Sequence, residues 1–182
     1  PAERRLRDWV AAHHEEQIGL LQRMVDLPSG SLNIAGVKAV GALYRTELEA
    51  LGFATRWSDM PAPMARAGHL VAHRPAKLRS ATAKKILLIG HFDTVFEGEG
   101  QKFVREDSIA RGAGTSDMKG GDVVLLYAVK ALAAVGQLDA IDLTVVITGD
   151  EESTGRPLDV ARKDLIDAAK LVDLALSFEG GS

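Results

Sequence analysis

Apolar residues recur at three- and four-residue spacings from the start of the chain: Leu6, Trp9, Val10, Ile18, Leu21 and Val25. That spacing predicts a helix, and Pro28-Ser29-Gly30 ends it. A second helix is predicted with Val37, Val40, Tyr44, Leu48 and Leu51 on one side. Gly52 stands where a helix end most often needs a left-handed residue. Short strand-like runs follow at 53–57 and 69–73, separated by the loop Met60-Pro61-Ala62-Pro63.

The clearest strand is 85–90, whose Ile86-Leu87-Leu88-Ile89 core is continuously apolar, as a strand covered on both faces reads. Residues 143–148 are of the same kind, and 172–178 give a third strand. Residues 122–135 are apolar nearly all round and predict a deeply packed helix, whereas 159–170 read as a more amphipathic one. Strands alternating with helices predict an α/β fold, a three-layer αβα sandwich with a largely parallel central sheet. The length, 182 residues, is that of one domain with a real core. The chain has no internal repeat and no low-complexity tract.

Composition narrows the function. The chain is 46% apolar, with 22 Lys+Arg against 25 Asp+Glu and a net charge of −3, which excludes a disordered chain. A pI near 6.0 without a basic block gives no reason to expect nucleic acid as a partner. The absence of cysteine excludes a disulfide framework, a thiolate zinc finger and a cysteine nucleophile. It fits the cytoplasm or a bacterial periplasm. No apolar run is long enough for a membrane-spanning helix. The opening Pro-Ala-Glu-Arg-Arg is unlike a signal peptide, and the lack of an initial Met is what a leader removed before Pro1 would leave.

In open α/β sheets ligands bind at the carboxyl ends of strands. Here the first apolar strand runs into His91-Phe92-Asp93, the second into Asp150-Glu151-Glu152 and the third into Glu179, while Asp117 sits in a glycine-rich turn opening the buried helix. One imidazole and several carboxylates without cysteine suit zinc or another first-row divalent ion. Such ions activate water, and a carboxylate that binds no metal can take its proton. Glu151 and Glu152 can divide these roles, and Asp93 stands on the same side of the strand end as His91, placed to orient the ring. Each residue also has a plainer reading. Asp117 suits a helix cap, 150–152 a solvated acidic turn, and Glu179 an ordinary strand end. Residues 112–121 lack the Gly-Lys-Ser/Thr ending of a phosphate loop. His13 and His14 read as surface helix, His69 and His73 as one face of a short strand, Trp9 as core and Asp150 as structural.

Four motifs in order, His91-Phe-Asp93-Thr-Val, Gly112-Ala-Gly114-Thr-Ser-Asp117-Met-Lys-Gly120-Gly121, Asp150-Glu151-Glu152-Ser-Thr-Gly155 and Phe178-Glu179-Gly180, carry a resemblance. Together they resemble the dinuclear zinc hydrolase family of glutamate carboxypeptidase, acetylornithine deacetylase, succinyl-diaminopimelate desuccinylase and aminoacylase, and most of all its glutamate carboxypeptidase branch. The resemblance implies two zinc ions, with cobalt or manganese as substitutes. His91 and Glu179 would hold one ion and Glu152 the other, with Asp117 bridging both, Glu151 as general base and Asp93 orienting His91. It also implies a non-proline cis peptide between Asp117 and Met118, and Glu179 in place of Asp argues against an aminopeptidase. The expected substrates are small peptides or N-acyl amino acids, with no nucleic acid or membrane partner. The family's last His ligand and its lid domain, through which it usually dimerises, have no counterpart before Ser182. None of His13, His14, His69 or His73 lies in a context to replace that ligand. The resemblance therefore reads residues 1–182 as the N-terminal portion of a catalytic domain. It leaves two alternatives for function: a deacylase, or a non-catalytic metal-binding scaffold.

Overall fold

The computed structural model describes residues 2–78 and 83–180. The chain begins with α1 (Ala2–Ala12) and α2 (His14–Val25), so the single predicted helix is two. The break falls at His13, whose ring stacks on Trp9 at 3.8 Å and whose Nδ1 lies 2.7 Å from the Trp9 carbonyl oxygen. The second helix, α3 (Ile34–Ala50), starts at Asn33, whose side chain accepts from the Gly36 N–H, and it ends before Gly52 at φ +84°. The left-handed stop at Gly52 matches the reading of the sequence, and the Asn33 cap adds the start.

Five strands make the main sheet: β1 (Ala54–Ser58), β2 (His69–Arg74), β3 (Lys85–His91), β6 (Asp142–Thr148) and β7 (Leu174–Ser177), in the order β1-β2-β6-β3-β7. The predicted strands are all present. β6, β3 and β7 run parallel, but β1 and β2 pair antiparallel, so the sheet is mixed. A hairpin of β4 (Val104–Glu106) and β5 (Ile109–Arg111) stands apart from the sheet. Its short, charged and mostly exposed strands carry no apolar run to betray them. The buried helix is α4 (Lys119–Ala134). The later helical stretch splits into α5 (Leu158–Ala161) and α6 (Lys163–Ala169) at Arg162, which turns its side chain back toward the sheet.

Alternation along the strands sets the layers. Leu88, Leu143, Val145 and Ile147 face the core built with Leu20, Met24, Val40, Tyr44 and Leu126 from α2, α3 and α4. The intervening Val71 and Thr144 face Lys163, Asp164 and Ala168 of α6 on the other side. Helices therefore cover both faces, as the three-layer expectation holds. All four residues of β7 are exposed, at one edge of the sheet. No helix among the described residues is long and apolar enough to cross a membrane.

Two close approaches seat α4 against the strand ends. A Cβ on Gly121 would lie 2.1 Å from the Phe178 carbonyl oxygen, and one on Gly90 would lie 2.1 Å from Asp122 Oδ1. Only glycine leaves that room, so the first turn of α4 lies against both β3 and the segment carrying Glu179.

Candidate metal centre

The parallel order β6-β3-β7 puts three carboxyl ends side by side, with His91 opposite Thr148 and Ile89 opposite Ser177. The acids that follow those strands therefore share one rim. His91 is buried at the last position of β3, and its Nε2 lies 3.1 Å from Asp117 Oδ1, 3.2 Å from Glu179 Oε1 and 4.0 Å from Glu151 Oε2. Among the described residues, His91, Asp117 and Glu179 form a group whose ligand atoms all lie within 4.8 Å of one another. Residues 26 and 88 positions apart from His91 thus meet at one ring nitrogen. The Asp117–Met118 bond is cis, as the resemblance implies.

Asp93 holds more than the imidazole. His91 Nδ1 makes its 3.0 Å hydrogen bond to the Asp93 main-chain carbonyl, with the carboxylate at 3.5 Å. The carboxylate itself accepts from Ser31 Oγ at 2.6 Å, Glu151 N at 2.9 Å and Glu152 N at 3.0 Å. It is fully buried, and burial works to raise its pKa. Donation from His91, Ser31 and the Glu151 amide outweighs that and holds it below the ordinary aspartate value. The loop bearing Glu151 and Glu152 is thereby pinned to the end of β3. Glu152 is fixed by its amide, and its carboxylate lies outside the His91–Asp117–Glu179 group. Burial, then the charge of Asp117, pushes the Glu152 carboxyl up.

Three neighbours of this rim carry no local signal in the sequence. Ser31 lies 62 residues from the Asp93 it serves, in a stretch legible only as a helix stop. Asp122 is buried in the first turn of α4, and both its carboxylate oxygens lack a hydrogen-bond partner among the described residues. Burial raises its pKa well above the ordinary value, with the charges of Glu179 and Asp93 adding to the effect. Arg162 lines a cavity of about 200 Å³ together with His91, Glu151 and Glu179. Asp150, expected to be structural, is buried and paired with Arg162. His13 and His14 lie in or beside helix, away from the rim, and His69 is buried against Ala161. A larger hollow of about 540 Å³, lined by Arg56, His73, Lys85 and Asp167 among others, contains none of the clustered acids.

The donor set fits a divalent cation. Three carboxylates crowd one imidazole, and Glu179 is pushed up by burial and by its hydrogen bond with Asp117, so the rim is short of positive charge. His91 shows the same demand: burial lowers its pKa, but the hydrogen bond and charge of Asp93, with the charge of Asp122, carry it up to about 10. A proton and a metal therefore compete for Nε2. In metal-free protein the folded pKa of about 10 exceeds the unfolded 6.5, so His91 contributes stability in full below pH 6.5 and loses it as pH rises through 10. Lys119 acts in the opposite sense, because burial lowers it to about 8 and its cost is relieved above that pH. Wild type and His91→Gln both retain Lys119, so its titration is common to the two: between pH 7 and 10 the melting temperature of chelated wild type should fall relative to His91→Gln. Parallel curves would refute the imidazolium.

The relationship to known proteins follows the same residues. A family profile described as Peptidase family M20/M25/M40 matches residues 87–179, from β3 to the glutamate after β7. The chain belongs to this family. Over 167 residues it is 34% identical to carboxypeptidase G2 of Pseudomonas sp. strain RS-16, covering 89% of this chain and 38% of that protein. It is 33% identical over 160 residues to succinyl-diaminopimelate desuccinylase of Novosphingobium aromaticivorans, covering 83% of this chain and 39% of that one. The chain thus spans about two-fifths of the length of these relatives. Human carnosine dipeptidase 1 shares the fold with a TM-score of 0.80 at 20% identity, over 97% of this chain and 41% of that one. The metallo-carboxypeptidase Sso-CP2 from Sulfolobus solfataricus does so with a TM-score of 0.69 at 21% identity, over 91% and 38%. Family membership implies a divalent metal, for which the His91 cluster supplies the donors.

Proposed function

We propose that the full-length protein is a zinc-dependent hydrolase of linear amide bonds, and specifically a carboxypeptidase releasing a C-terminal glutamate-type residue. The observation that carries this is the convergence of Asp117, Glu179 and Glu151 on the Nε2 of one buried His91, at 3.1, 3.2 and 4.0 Å. The chemistry a pair of bound divalent ions would supply is polarisation of the amide carbonyl and a lowering of the pKa of water from 15.7 to about 7. His91, Asp117 and Glu179 would hold one ion, and Glu152, on the loop pinned by Asp93, would serve the other together with Asp117. Glu151 is half-exposed and lines the same cavity as His91 and Glu179. From there its carboxylate takes the proton of the attacking water and passes it to the departing amine. Asp93 keeps the His91 ring turned with Nε2 toward the acids.

The similarity to carboxypeptidase G2 supports the glutamate-releasing reading. The similarity to a desuccinylase at nearly equal identity supports a second one, removal of an N-succinyl or N-acetyl group. The resemblance of the four motifs further supports a homodimer joined through a lid domain. Full-length protein should be assayed with C-terminal glutamyl, N-succinyl and N-acetyl amides, before and after chelation and zinc addition. Glutamate release that is lost on chelation and restored by zinc is the expected result. Preference for the succinyl amide would favour the second reading, and no metal-dependent turnover on any of the three would refute both.

A further inference from the structure

The loop presenting Glu151 and Glu152 is gripped a second time, by Arg162. Arg162 Nη1 donates to Asp150 Oδ1 at 2.6 Å, while its Nη2 donates to the Asp150 carbonyl at 3.1 Å and to Thr154 Oγ1 at 2.8 Å. Thr154 Oγ1 in turn donates to the Glu151 carbonyl at 3.3 Å, so a relay runs from the guanidinium to the peptide of the general base. The other Asp150 oxygen accepts from Gly155 N at 2.9 Å and closes the loop. His69 braces both ends. Its Nε2 donates to the Ala161 carbonyl at 2.7 Å, and its Nδ1 accepts from Gly149 N at 3.3 Å, fixing the residues that precede Arg162 and Asp150. Asp150 and His69 are buried, and Arg162 is largely so, which shields the arrangement from water. Arginine suits this place because its planar fork reaches three acceptors in fixed directions, which a lysine ammonium on a flexible stem does not.

We propose that Arg162 is a positioning residue for amide hydrolysis: bridging Asp150 and Thr154, it sets the main chain of Glu151 and Glu152 against the His91 rim. The inference rests on the hydrolase reading for its effect on rate, but the grip itself does not. Asp93 holds the amides of Glu151 and Glu152, and Arg162, through Thr154, holds the carbonyl side. Removing one of the two leaves the base tethered but free to swing.

The test uses full-length zinc-loaded protein and four variants. Arg162→Met should lower kcat by about 10²-fold with KM within about threefold, as a displacement near 1 Å does. Thr154→Val, a near-isosteric change at a half-buried position, should lower kcat about tenfold, and Thr154→Ser should restore it. Arg56→Met, which removes an exposed pair with Asp164 of α6, should leave turnover at the wild-type level. Hydrogen exchange supplies a readout independent of turnover: amides 150–155 should exchange faster in Arg162→Met while β3 and β6 keep their protection. Wild-type kcat in both Arg162→Met and Thr154→Val would overturn the proposal, as would faster exchange spread evenly across the sheet. If wild type cleaves no amide, the hydrolase reading fails and exchange alone decides, with unchanged rates at 150–155 overturning the grip.

Discussion

Glu151→Gln should abolish most turnover, lowering kcat by about 10²–10⁴-fold while the protein keeps its fold, its zinc stoichiometry and a KM within a few-fold of wild type. The substitution preserves side-chain length and the amide that donates to Asp93 Oδ1 at 2.9 Å, so the loop stays pinned. What disappears is the only property the mechanism asks of this residue, an ionised oxygen able to hold a proton between water and amine. His91, Asp117 and Glu179 are untouched, which separates loss of the base from loss of metal. Steady-state kinetics with elemental analysis of the same preparation checks it, and a wild-type kcat would remove Glu151 from the mechanism.

Asp93→Ala should be strongly destabilising. The carboxylate is buried and accepts from Ser31 Oγ, Glu151 N and Glu152 N, with the His91 ring beside it. Truncation strands these donors and an imidazolium away from water. Removing one partner of a buried charged pair costs about 3–5 kcal/mol, against a total of about 5–15 for a domain. Asp93→Asn should be milder yet still harmful, because its amide group can accept at one oxygen only and turns N–H toward N–H at the other. Urea unfolding of metal-free protein measures both, with an unchanged m-value showing that the same transition is compared. A loss below about 1 kcal/mol for Asp93→Ala would mean that the strand end holds without this hub.

The contrast between these residues explains how much the sequence revealed. The strand 85–90 announces itself through Ile86-Leu87-Leu88-Ile89, and parallel pairing then dictates that whatever follows β3, β6 and β7 shares a rim. His91, Glu151 and Glu179 were legible for that reason. Ser31 and Arg162 were not, because their meaning lies wholly in partners elsewhere: one serine meets Asp93 across 62 positions, one arginine folds back onto Asp150. Periodicity also runs straight through His13 and Arg162, since a helix broken for one residue keeps its apolar spacing on both sides. The antiparallel pairing of β1 and β2 was hidden for a related reason. Alternation reports which face is buried, not the direction in which a strand runs.

Asp93 holds both sides of the rim, its main-chain carbonyl accepting from the His91 ring and its carboxylate from the peptides of Glu151 and Glu152. Proton acceptor and imidazole are thereby tied to one residue, and their spacing is set by a single side chain and its own peptide. Substitutions around the rim that spare Asp93 can therefore accumulate without changing the spacing of its reactive groups.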